Sequence, residues 1–147
     1  MARLKDRPDV ELFACLTAIG RLADQRLERA MPQGLSLASL GVLNHLAQWG
    51  GAPTPNELAQ VFQLSKPAMT NTLHRLEASG FVEITADPGD GRRKRVALTD
   101  AGLSVQRAAV IGVRPKLEAL RAAFEPRDFD AALPFLRRLR AWLAANP

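Results

Sequence analysis

A chain of 147 residues, 47% of them hydrophobic, is long enough for a packed core and too apolar for a disordered tail. Twenty Lys and Arg against fifteen Asp and Glu give a net charge of +5, a weak preference for a polyanionic partner. A single cysteine excludes an internal disulfide, the opening MARLKDRPDV lacks the apolar stretch of a signal peptide, and no apolar run approaches the ~20 residues of a membrane span, so the cytoplasm is the expected location.

Asp9 to about Met31 has the spacing of an amphipathic helix. Leu12, Cys15, Leu16, Ile19, Leu22 and Ala23 share one stripe, and Pro32 and Gly34 break it. Ser36 offers an N-cap for a second helix that ends at Trp49 before Gly50-Gly51. That helix is apolar on two sides, with Leu37, Leu40, Leu43 and Ala47 on one and Val42, Leu46 and Trp49 on the other. Between Ala30 and Ser65 the sole charged residue is Glu57, so this segment is expected to be mostly buried.

Thr54-Pro55-Asn56-Glu57 opens a third helix as a capping box with proline in its first turn, and Leu58, Ala59 and Phe62 supply its buried side. Ser65 restarts the chain shortly after Phe62, which is the spacing of a helix-turn-helix. The fourth helix runs from Lys66 to Ser79 with Gly80 past its end, and Leu64 is spaced to staple onto Met69. Met69, Leu73 and Leu76 form its inward stripe. Pro67, Thr70, Asn71 and His74 cluster on the opposite side with Arg75 flanking, where a merely solvated helix more often carries Glu/Lys pairs.

Phe81–Thr85 and Arg95–Thr99 alternate as strands around the turn-rich Asp87-Pro88-Gly89-Asp90-Gly91, and Arg92, Arg93, Lys94 and Arg95 follow that turn in a row. Thr99 or Asp100 caps a long fifth helix. Leu103, Val110, Leu117 and Phe124 recur along it every seventh residue, with Gln106, Val113 and Leu120 between, as in a helix-pairing seam. Pro115 is expected to kink it. A sixth helix spans about Arg127 to Ala145, with a second bend at Pro134.

The outward face of the fourth helix suits duplex DNA. The capped N-terminus at Ser65 and Lys66 fits a phosphate, while Thr70, Asn71 and His74 fit base edges, asparagine being suited to adenine and the threonine methyl to thymine. From Ser65 to Asp100 six Lys/Arg face five Asp/Glu, so binding must depend on where the cations sit. His45 and His74 are the only histidines. With one cysteine they support neither a metal site nor a catalytic constellation, so no metal, no cofactor and no enzymatic activity are expected. His45 reads as a core histidine.

Glu57-Leu58-Ala59, Met69-Thr70-Asn71, Arg75-Leu76-Glu77, Gly80-Phe81-Val82, Asp87-Pro88-Gly89-Asp90-Gly91-Arg92, Val96-Ala97-Leu98-Thr99 and Gly102, in this order, resemble the multiple-antibiotic-resistance regulator (MarR) family of winged-helix repressors. The resemblance implies a mainly α fold of six helices with a small β-hairpin wing. Residues 1–147 form one unit, 9–31 and 100–147 being dimerisation helices and 36–99 the winged helix-turn-helix. It further implies a homodimer that grips a pseudo-palindromic double-stranded operator; no membrane partner is expected.

By the same resemblance, Arg92 enters a minor groove and Asp90 holds the wing; Arg93 or Lys94, in the same row of cations, is expected to meet a phosphate. A small neutral or weakly acidic aromatic or lipophilic effector would sit in a cleft lined by Leu12, Cys15, Leu16, Ile19, Leu43, Leu46 and Val110. One branch of the family senses hydroperoxides through a cysteine near Cys15, supported by tyrosines, but this chain has none. Cys15 also falls within the apolar stripe, where burial would leave it inert. Redox sensing through Cys15, a winged-helix protein-interaction module and a small enzyme using Cys15 as nucleophile are the competing readings.

Overall fold

A computed structural model describes residues 7–32 and 35–146. The elements are α1 (Pro8–Glu28), α2 (Leu37–Trp49), α3 (Pro55–Phe62), α4 (Lys66–Ala78), β1 (Val82–Ala86), β2 (Lys94–Leu98), α5 (Asp100–Ala123) and α6 (Pro126–Ala145). This is the expected winged helix: mostly helical, with one antiparallel hairpin.

Side chains set the helix starts. Ser36 accepts from the Ser39 amide at 3.1 Å, Ser65 from Ala68 at 3.2 Å and Thr99 from Gly102 at 3.0 Å. The box at α3 is complete, Glu57 accepting from the Thr54 amide at 2.8 Å while Thr54 accepts from Glu57 at 3.2 Å. Each such cap contributes about 1 kcal/mol. α1 ends at Glu28, short of the expected Met31, because the chain turns there and the Ala30 and Met31 amides bond back to Leu27 and Glu28. Gly34, the second expected breaker, lies outside the described residues. α5 and α6 each remain one continuous helix through Pro115 and Pro134.

Between α3 and α4 the chain turns through Gln63, which is left-handed at φ 51°, and the Leu64 amide closes onto the Ala59 carbonyl at 2.9 Å. A non-glycine residue there costs roughly 1–2 kcal/mol, which the packing of the two helices must offset. Leu64 stays exposed, although Met69, onto which it is spaced to staple, is fully buried.

The strands are shifted from their expected limits, β1 beginning at Val82 and β2 ending at Leu98. Phe81 cannot start the ladder because its amide closes α4 onto the Leu76 carbonyl at 2.9 Å, beside Gly80 at φ 75°. Thr99 is equally committed: it caps α5, and its hydroxyl donates to the Gly80 carbonyl at 2.6 Å. The hairpin then pairs Val82 with Leu98 and Ala86 with Lys94.

One core lies under α2, α3, α4 and the hairpin. Val42 and Leu43 of α2, Leu58 of α3, Met69, Leu73 and Leu76 of α4 and Val96 of β2 are all but inaccessible, each contributing roughly 1.5–3 kcal/mol. α5 joins it through Ala109 and Val113, and its Gln106 donates to Asn44 of α2 at 2.8 Å. Two glycines let α5 pack so closely: a Cβ at Gly102 would strike the Phe81 carbonyl, and one at Gly112 the Ala30 carbonyl.

The expectation that residues 30–65 are mostly buried holds only for part of α2 and α3. Trp49 is 72% exposed and Ala47 is exposed, because α2 runs past the core into the Gly50-Gly51 turn. Polar but uncharged side chains such as Asn56, Gln60 and Gln63 cover much of the remainder, so lack of charge was a poor proxy for burial. No helix among the described residues is long and apolar enough to cross a membrane.

Candidate nucleic-acid interface

The wing is shaped by two aspartates. Asp87 Oδ1 accepts from the Gly89 amide at 2.8 Å, and the Asp87 amide donates to the Arg93 carbonyl at 2.9 Å. Asp90 Oδ1 accepts from the Arg92 amide at 3.0 Å and its carbonyl from the Arg93 amide at 3.0 Å, so the loop bends before the cations. The backbone at Arg92 is thereby fixed while its side chain stays exposed.

Arg95 differs from its three neighbours. It faces Asp87 at 2.6 Å and donates to the Ala52 carbonyl at 3.1 Å. Next to it, the Val96 amide donates to the Pro53 carbonyl at 2.9 Å, so the segment entering α3 is stitched to the outer edge of β2. The Gly89 amide and then the Arg95 guanidinium hold the Asp87 carboxyl below its ordinary value. Arg93 lies at the outer limit of an ion pair with Asp90, at 4.0 Å and well exposed, so the pair restrains it little.

On α4 the inward stripe is fully buried, and Pro67, Thr70, Asn71, His74 and Arg75 are all exposed on the other side. A cleft of about 440 Å³ between α4, the wing and the start of α3 brings together Lys66, Thr70, Arg92, Arg93 and Lys94. Its continuation, about 330 Å³, is lined by Thr70, His74 and Lys94. Asn71 and Arg75 lie around the helix from this groove and line neither hollow. Ser65 is occupied as a cap and borders a separate hollow beside the C-terminal turn of α6.

Four cations on a concave surface, where the carboxylate of the main cleft, Glu57, is held in the α3 cap and Glu77 lines the continuation, form an anion-accepting groove with hydrogen-bonding side chains at its floor. Sequence reasoning missed its third wall, the cap residue Thr54 and Asn56 and Gln60 of α3. Asn56 and Gln60 are one helical turn apart opposite the buried Leu58 and Ala59, a spacing that could have revealed them.

The expected effector residues differ widely in exposure. Leu43 and Leu46 are core, whereas Cys15, Ile19 and Val110 are exposed and Leu12 and Leu16 half-buried. The expectation that Cys15 is buried is therefore corrected: in the single chain α1 has no buried residue, since its apolar stripe meets little of its own chain. His45 is half-buried, its ring 5.8 Å from Phe62 and 6.5 Å from Trp49. No group of three potential metal ligands occurs among the described residues.

Residues 33–93 match the family model described as the MarR family. An uncharacterised HTH-type transcriptional regulator of Mycobacterium leprae is 36% identical over 92 residues, which is 63% of this chain and 64% of the relative. The chain thus spans a little under two thirds of the length of the curated relatives it first matches. The PcaV transcriptional regulator of Streptomyces coelicolor, solved with its natural ligand, superposes with a TM-score of 0.80 at 19% identity, covering 95% of each chain. A mutant MarR of E. coli complexed with operator DNA superposes at 0.78 with 24% identity, covering 94% of this chain and 99% of that one.

Proposed function

We infer that this chain is a member of the MarR family and a sequence-specific DNA-binding transcriptional regulator, acting as a homodimeric repressor rather than an enzyme; the family-model match and the similarity to HTH-type regulators support this reading. The observation that carries the reading is the groove in which Lys66 and Thr70 of α4 meet Arg92, Arg93 and Lys94 of the wing. α4 enters a major groove, where Thr70, Asn71 and His74 meet base edges, while Arg75 flanks the face and Pro67 starts the helix without an amide to satisfy. Arg92 reaches the adjacent minor groove, and Lys66, Arg93 and Lys94 hold phosphates.

Dimerisation is supported by what a single chain leaves uncovered. Ile19 of α1, Ile111 of α5, Phe124 just past its end and Trp142 of α6 are each more than half exposed. An uncovered apolar surface spread over three helices is unstable in water, and a second copy is its simplest cover. Two α4 helices would then meet successive major grooves about 34 Å apart on a pseudo-palindromic operator. A neutral or weakly acidic aromatic or lipophilic effector would release the DNA by preferring a dimer with wrongly spaced helices.

Selection of bound fragments from a random duplex pool tests this reading. It should return two inverted half-sites one helical turn apart; a pool that stays random contradicts it.

A further inference from the structure

The last turns of α6 face the turn between α3 and α4 across a hollow of about 770 Å³. Arg140, Leu143 and Ala144 line it on the α6 side, and Gln60, Gln63, Ser65 and Lys66 on the other. Asn56, Gln60 and Lys66 border this hollow and the DNA-reading cleft alike, so the two adjoin at the start of α4.

The charge of the hollow has one sign. Lys66 of α4 and Arg140 of α6 are its charged residues, and no acidic residue lines it. Neither cation pairs with a carboxylate among the described residues. Arg138, two residues before Arg140, is engaged differently, its guanidinium lying 5.9 Å from the centre of the Phe135 ring. Lys66 and Arg140 are both exposed. Exposure suits contact with a phosphate strand, because the gain there comes from counterions released by the nucleic acid and needs no desolvated pocket. The amides of Gln60 and Gln63 add neutral donors of the kind that meet phosphate oxygens. Leu64 and Leu143, 40% and 42% exposed, give the hollow an apolar back. The more exposed apolar residues that call for a second copy, Ile19, Ile111, Phe124 and Trp142, are not part of its lining.

We propose that the last turns of α6 belong to the DNA-binding surface. The sugar-phosphate strand that Lys66 meets at the start of α4 continues into this hollow, and Arg140 holds a further phosphate of the same strand. Each strand of a duplex carries one negative charge per about 3.4 Å of helix axis, so a strand held at Lys66 presents more phosphates to whatever adjoins it. Arg140 is the cation placed there. The inference rests on the reading of the α4 and wing groove as a duplex-binding site, and extends its footprint to a helix outside the winged helix-turn-helix. A phosphate contact carries no sequence information, so Arg140 adds affinity and register without choosing bases. Affinity for the operator would then depend on where α6 sits as well as on α4.

The test is anisotropy titration of the full chain, over a series of salt concentrations, against the duplex recovered by fragment selection. Arg140→Gln should weaken binding by about 3- to 10-fold and flatten the dependence of log affinity on log salt by about 0.9, the share of one phosphate. The ranking of single-base variants of the duplex should stay as in the wild type. Arg140→Lys should keep most of the slope, and Arg138→Gln should behave as the wild type. Ethylation of single phosphates locates the contact: one modified phosphate should weaken the wild type and leave Arg140→Gln indifferent. A salt slope that Arg140→Gln leaves untouched overturns the proposal. So does a loss of affinity that coincides with a change in the sedimenting species, which would assign Arg140 to the contact with a second copy. Lys66→Ala separates the two readings. A slope reduced by that substitution but not by Arg140→Gln sinks this inference alone, whereas a slope indifferent to both sinks the duplex reading of the groove.

Discussion

The Arg95 guanidinium sits 2.6 Å from the Asp87 carboxylate and at the same time reaches the Ala52 carbonyl at 3.1 Å. One side chain thus ties the base of the wing to the segment that enters α3. The three cations before it are left to project, because the fourth holds the hairpin in place.

Arg95→Ala should loosen the wing and leave the helices intact. The expected loss of affinity for duplex DNA is roughly 3- to 10-fold, the scale of one charge-assisted hydrogen bond acting indirectly. Anisotropy titrations checked against far-ultraviolet circular dichroism measure it; unchanged affinity would mean that the wing holds its shape without this tie.

Arg92→Ala acts differently, since Arg92 is exposed and its backbone is already fixed by Asp90. Preference for A·T pairs flanking each half-site should fall, with little change at the central bases. Asn71→Ala should instead relax one base within the half-site by about 1–3 kcal/mol. Competition binding with single-base variants of the selected fragment separates the two patterns.

Acidification probes Asp87. Its folded pKa is held below the ordinary value near 3.8, so its contribution is complete above that value and is lost as pH falls through the lower, folded one. Wing stability should therefore be flat in Asp87 across neutral pH and decline only below about 4. Asp87→Asn should remove that acid limb from amide exchange measured at the wing; an identical limb in the variant would assign it elsewhere.

Gly112→Ala places a Cβ against the Ala30 carbonyl and should destabilise the fold by about 1–3 kcal/mol, as overpacking does. Gly20→Ala, in the middle of α1 with nothing close to its missing Cβ, should stabilise by about 0.5–1 kcal/mol. Urea unfolding gives both signs. A loss at Gly20 would put a second helix against that face.

Much of this was legible in the chain because it is local. Ser36, Thr54, Ser65 and Thr99 announce their helices through side chains that reach only three residues on. The polar face of α4 follows from a helical period that its cap had already phased. What stayed hidden was non-local. The tie from Arg95 to Ala52 joins residues 43 apart, and no spacing rule distinguishes Arg95 from the three cations beside it. The strand limits failed because Phe81 and Thr99 alternate like strand residues while their backbones serve the neighbouring helices. The exposure of Cys15 and Ile19 follows from a stripe on α1 that a single chain does not cover.

The salt dependence of binding to the selected fragment, compared between the wild type and Lys66→Ala, tests the DNA-reading groove most directly. Log affinity should fall steeply and linearly with log salt, and the substitution should flatten the slope by about 0.9 for each phosphate that the lysine neutralises. Binding that is indifferent to salt, or a slope that Lys66→Ala leaves untouched, would contradict the assignment of this face to duplex DNA.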